Sequence, residues 1–94
     1  MKDILKKAVD TWGEDAQIMA AIQEMAELIK ELTDIRRNRT DENKLASEIA
    51  DVQIMLEQLK YIFSKKYENF EKIIEEEKNK KIIKIINKLN CKIH

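Results

Sequence analysis

Proline is absent from this chain, and glycine and cysteine occur once each. With almost no helix breakers, long uninterrupted helices are favoured, and the fold class expected is all-α. A single thiol, Cys91, excludes an intramolecular disulfide. No group of histidine and cysteine has the spacing of a zinc site, so a reducing compartment suits the chain. No apolar run approaches the roughly 18 residues needed to cross a membrane, and the opening MKDILKKAVDTW has no long apolar core of the kind a secretion signal carries. A cytoplasmic protein that avoids membranes is the expectation. Charge of neither sign is in excess: 18 basic residues balance 18 acidic ones, so no overall field draws the chain to a nucleic acid polymer. The balance is uneven along the sequence, with a basic final stretch, KNKKIIKIINKLNCKIH, and most of the acids in the middle.

What the chain does hold is apolar residues in helical register. Its 94 residues suffice for one domain with a modest core. Ile4, Leu5, Ala8, Val9 and Trp12 recur at helical spacing, and Gly13 is placed to end this first helix. A second helix is expected with Asp15 as its cap and with Ile18, Ala21, Ile22, Met25, Leu28, Ile29 and Leu32 as its apolar set. The polar run DIRRNRTDEN reads as a connection in which Thr40 or Asp41 caps a third helix. That helix runs from about Glu42 to Phe63, with Leu45, Ile49, Val52, Met55, Leu56, Leu59, Ile62 and Phe63 on one side. A break near Ser64 to Lys66 precedes a last helix over about 67–90, in which EEEKNKK is a solvated stretch between two apolar clusters. The expected architecture is a single domain, residues 1–94, resembling a four-helix bundle: two long antiparallel helices flanked by two others. So short a chain leaves apolar faces uncovered, which points to an oligomer.

Two pairs of acids interrupt these patterns: Glu24 and Glu27 in QEMAE, Glu48 and Asp51 in EIAD. On a wheel of about 100° per residue with Glu48 at zero, Leu59 falls near 20°, Met55 near −20° and Val52 near 40°, so Glu48 stands inside the apolar stripe. Asp51 lies at its edge beside Ile62. Glu24 and Glu27 line one border of the stripe on the preceding helix. In an antiparallel hairpin both pairs sit about halfway along, and four carboxylates converge. Desolvation and like charge make such convergence costly unless protons, basic side chains or a divalent cation offset it. No basic residue lies within one turn of Glu24 on that helix; the nearest, Lys30, is six residues on and on the opposite face. A donor set made of oxygen alone suits Mg²⁺, or Mn²⁺, better than zinc.

These residues resemble the MazG-like all-α nucleoside triphosphate pyrophosphohydrolases, whose hallmark is E-E-x-x-E on one helix and E-x-x-D on the next. Glu24 and Glu27 match the second and third acids, and Glu48 and Asp51 match the second motif. The flanking stretches WGEDAQIMAAIQEMAELIKEL and ENKLASEIADVQIMLEQLKYIF are similar to the small single-domain members, over roughly residues 10–65. The resemblance implies a helical domain assembled as a homodimer or homotetramer, with Mg²⁺ on Glu24, Glu27, Glu48 and Asp51. It implies hydrolysis of NTPs or dNTPs to the monophosphate and pyrophosphate, with Glu27 favoured as the acid that activates water. It marks Lys78 and Lys81, in EKNKKI, for the phosphates, although a solvated basic face explains them too.

Trp12, next to the glycine, is a candidate to border the base or to pack in the core. Gln17 and Lys44 are candidates to reach the nucleotide, with ordinary surface roles as the alternative; Asn43 is another, which a helix-start hydrogen bond explains equally well. One departure stands out: Gln23 replaces the motif's first acid and cannot serve as an anionic ligand or base. If that acid is needed, the chain binds nucleotide without cleaving it. The competing reading is a non-catalytic helical module whose acids are structural and whose apolar faces bind a partner. His94 and Cys91 carry no assigned role.

Overall fold

The computed structural model describes residues 2–93; His94 lies outside the described residues. Four helices form, α1 Lys2–Trp12, α2 Glu14–Arg36, α3 Glu42–Ser64 and α4 Phe70–Ile93, and no strand occurs among the described residues. The all-α expectation holds. The chain divides into two compact units, one reaching to Phe63 and the other starting at Ser64.

In the first unit a single residue joins α1 to α2. Gly13 has φ 95°, a left-handed conformation that an L side chain adopts only with strain. Its N–H donates to the Val9 carbonyl at 2.8 Å, closing α1, while its own carbonyl accepts from the Gln17 N–H at 3.2 Å, opening α2. Gly13 therefore occupies the N-cap expected for Asp15, which instead lies inside the first turn with Glu14. There both acids face the positive end of the helix dipole. At the other end, the N–H groups of Arg37 and Arg39 donate to the Asp34 carbonyl at 3.1 and 2.9 Å, and Asn38 turns the chain at φ 55°. Asp41, not Thr40, caps α3: its Oδ1 accepts from the Lys44 N–H at 2.9 Å.

α1 is fastened to the far end of α3. Gln58 Nε2 donates to the Leu5 carbonyl at 3.3 Å, and the Tyr61 hydroxyl donates to the Asp10 carboxylate at 2.9 and 3.0 Å. Lys6 Nζ stands 5.5 Å from the centre of the Tyr61 ring, within range of a cation–π attraction. Val9, Ala21 and Ile62 form the small buried apolar core.

The apolar set expected for α2 does not all turn inward. Ile22, Ile29 and Leu32 are 55, 66 and 47 % exposed, while Gln17 and Glu31 are buried. The reason lies in the helix period: Gln17, Glu24 and Glu31 recur every seven residues and share one line on α2, the line that meets α3.

The second unit holds the turn after α3 and α4. Asn69, at φ 60°, sets the start of the helix, and its carbonyl accepts the Ile73 N–H at 3.0 Å. α4 consequently begins at Phe70 rather than at Tyr67, whose ring packs near that of Phe70 with centroids 5.9 Å apart. From Glu75 to Cys91 every residue is exposed, the EEEKNKK stretch included. Ion pairs one turn apart run along it, Lys78 with Glu75 at 3.3 Å and Lys80 with Glu77 at 3.6 Å. None of the described helices is long and apolar enough to cross a membrane.

Candidate metal centre

The two long helices of the first unit bring polar residues together in matched steps. Along α2 the order is Gln17, Glu24, Glu27, Glu31; along α3, read backwards, it is Gln58, Asp51, Glu48, Lys44. Each step forward on one helix equals the step back on the other. The helices therefore present a polar seam to each other, with the acids at mid-length and a basic residue near the turn.

Glu24, Glu27 and Glu48 each offer a carboxylate oxygen, and the three oxygens lie within 4.8 Å of one another. Glu24 and Glu48 are half-buried and Glu27 is exposed. One oxygen of Glu24 and one of Glu48, Oε2 in both, is shielded from solvent and has no hydrogen-bond partner. Such orphaned acceptors are costly unless something donates to them. Burial holds the Glu24 carboxyl above the usual carboxylate range, reinforced by the charges of Glu27, Asp51 and Glu48 and by a hydrogen bond with Asp51. Glu48 is raised for the same leading reason, then by Glu27, Asp51 and Glu31, with a hydrogen bond to Glu27. Asp51 thus interacts with both residues without belonging to the tight trio.

An Mg²⁺ ion with oxygens at about 2.1 Å in octahedral array holds neighbouring ligand atoms about 3 Å apart and opposite ones about 4.2 Å apart. The trio's oxygens, within 4.8 Å of one another, are close enough for side-chain adjustment to bring them into this range. Its donors are all carboxylate oxygens, and two of the acids carry an orphaned oxygen, so the residues fit a hard divalent cation.

The remaining candidates are placed as follows. Gln17 is buried on the line of Glu24. Trp12 is 66 % exposed at the end of α1, so it is not a core residue and remains open to a ligand. Lys44 Nζ lies 3.4 Å from Glu31 Oε1. Gln23 and Asn43 are exposed. Lys78 and Lys81 are exposed on α4 in the second unit, the former paired with Glu75.

Glu31 was missed in the sequence, although a signal was there: seven residues after Glu24, it falls about 20° from it on the wheel. Compared with family models, with curated proteins and with solved structures, the chain matches none.

Proposed function

We propose that the chain is a cytoplasmic, Mg²⁺-dependent nucleotide pyrophosphohydrolase that cleaves NTPs or dNTPs to the monophosphate and pyrophosphate, the reaction that its resemblance to the MazG-like enzymes implies. The observation that carries this reading is the meeting of Glu24, Glu27 and Glu48 within 4.8 Å on facing helices, with two buried oxygens left unpartnered. A structural role for the acids would call for basic partners or solvent at those oxygens.

Glu24, Glu48 and Asp51, with Glu27, are the residues that hold the cation. When bound, the cation offsets the charge of the polyphosphate and the charge that develops in the transition state. Glu27, the most exposed of the trio, is left to orient the attacking water and accept its proton. The resemblance marks Lys78 and Lys81, on α4 of the second unit, for the phosphates; in the first unit, Trp12 offers an exposed aromatic face to the base. Lys44 and Gln17 complete the set.

The acting form is an oligomer. By helical position, Ile22, Ile29 and Leu32 of α2 and Ile49 and Leu56 of α3 fall on one side of the hairpin, away from the side where Gln58 and Tyr61 receive α1. A second copy laid antiparallel across this face sets Ile22 against Ile29. It also brings the acidic first turn of α2, with Asp15, to the basic last turn, with Arg36.

The decisive experiment incubates the purified chain with a panel of NTPs and dNTPs, with and without Mg²⁺, and resolves monophosphate and pyrophosphate from diphosphate and phosphate. Monophosphate plus pyrophosphate, lost on chelation and in Glu48→Gln, is the expected result. Cation and nucleotide binding without turnover would overturn the enzyme reading, trace the loss to Gln23 and leave a nucleotide-binding module.

A further inference from the structure

Glu31 is the one buried acid among the described residues, and its environment is incomplete. Its side chain is 4 % exposed. One oxygen has a single basic neighbour, Lys44 at 3.4 Å, and the other, Oε2, is shielded from solvent with no partner at all. A buried carboxylate needs its charge matched and its lone pairs satisfied, and one ammonium on one oxygen does neither fully. The Lys44 side chain is 61 % exposed, so solvent screens its charge. Glu31 lies one turn beyond Glu27 on the line of Glu24, and its charge is felt at Glu48.

The acid seam therefore does not stop at the trio. It runs on to Glu31, and there the matched residue on α3 is a lysine instead of an acid.

We propose that Glu31, outside the three-oxygen cluster, is an outer carboxylate that holds a water of the bound cation, and that the Lys44 ammonium competes for it. This rests on the metal reading above. Mg²⁺ and Mn²⁺ retain water when protein-bound, and a buried acceptor beyond the trio is suited to hold that water. The Lys44 ammonium neutralises Glu31 in the empty site and is released, free to meet an anionic ligand, when a divalent cation takes over. A fastening role between α2 and α3 accounts for the oxygen that meets Lys44 but not for the burial of the other.

The test is calorimetric titration of the full chain with MnCl₂, for wild type, Glu31→Gln, Lys44→Met and Glu48→Gln, each checked for helical content by circular dichroism. Glu31→Gln is expected to weaken Mn²⁺ binding by about tenfold, in the range found when residues around a metal's ligands are removed. Lys44→Met is expected to tighten binding several-fold, because it removes the competitor; a pair that only fastens the helices gives no gain. If Glu31→Gln proves unfolded, Lys44→Met decides alone. Binding unchanged in both variants, or weakened in Lys44→Met, while Glu48→Gln abolishes it, overturns this proposal and leaves the metal reading standing. No Mn²⁺ binding by the wild type overturns both.

Discussion

Glu48→Gln removes one negative charge from the middle of the polar seam while keeping the side chain's shape, and its effects separate a cation site from a structural ion cluster. In the native chain burial, the charges of Glu27, Asp51 and Glu31, and a hydrogen bond to Glu27 all raise the Glu48 pKa above the ordinary 4.5. A raised carboxyl binds its proton more tightly in the folded than in the unfolded state. Its favourable contribution is thus complete below pH 4.5 and is lost as the pH climbs through the folded value. Glu24 acts in the same direction. Without divalent cation, wild type should lose stability from this pair as pH rises above 4.5, and Glu48→Gln should flatten that dependence and melt no lower than wild type at neutral pH.

Cation reverses the order. A ligand at about 100 times its dissociation constant stabilises the native state by about 2.7 kcal/mol. For a chain of this size each kcal/mol is worth about 4–8 °C, so saturating Mg²⁺ should raise the wild-type Tm by roughly 10–20 °C. In Glu48→Gln the shift should collapse. The assay is thermal melting followed by circular dichroism, from acid to mildly alkaline pH, with Mg²⁺ and with chelator. A cation-free Glu48→Gln variant that melts well below wild type at neutral pH would refute the reasoning, because it would show that Glu48 makes a stabilising pair. So would a cation shift equal in the two proteins.

Gly13→Ala places a Cβ where no atom lies within 4 Å, so its cost comes from the φ of 95° alone. Urea unfolding should show a loss of about 1–3 kcal/mol with the helices kept, and an unchanged midpoint would mean that the joint between α1 and α2 is not under that constraint. Ile29→Lys alters a side chain already 66 % exposed, so a folded single copy should tolerate it. Sedimentation velocity should show the proposed oligomer dissociating to single chains, and a sedimentation coefficient unaltered from an oligomeric wild type would remove α2 from the interface.

The helices were legible because their signals are local. Gly13 ends α1, Asp41 caps α3, and the absence of proline lets α2 and α3 each run 23 residues. The boundaries that shifted depend on single backbone conformations, Asn69 at φ 60° for the start of α4 and Gly13 taking the N-cap from Asp15. The convergence of Glu24, Glu27 and Glu48 could be read from the wheel, since a hairpin with matched distances to its turn leaves little freedom. Burial could not. Counting apolar residues into one stripe assumes that the stripe meets the nearest helix, and on α2 the line of Gln17, Glu24 and Glu31 does so instead. Glu31 was legible by its period and invisible by its charge, because an acid is expected in water until a partner on another helix shows otherwise.

The polar seam and the exposed apolar face are two consequences of one rotation of α2. Turning that helix about its axis to bury Ile22 and Ile29 against α3 would carry Glu24 and Glu31 out to water, relieving both the desolvation and the repulsion at the acids. A bare hairpin would gain on both counts. The observed rotation is favoured when something rewards acids inside and something else covers the apolar side chains outside. The proposed divalent cation would meet the first condition and the proposed second copy the second, each stabilising the same orientation of the same helix. On the proposed reading the two binding events would be coupled by linkage, cation promoting assembly and assembly raising cation affinity by the same factor. A chain in which Mg²⁺ left the dissociation constant of the oligomer untouched would not be built on this principle, however tightly it bound either one.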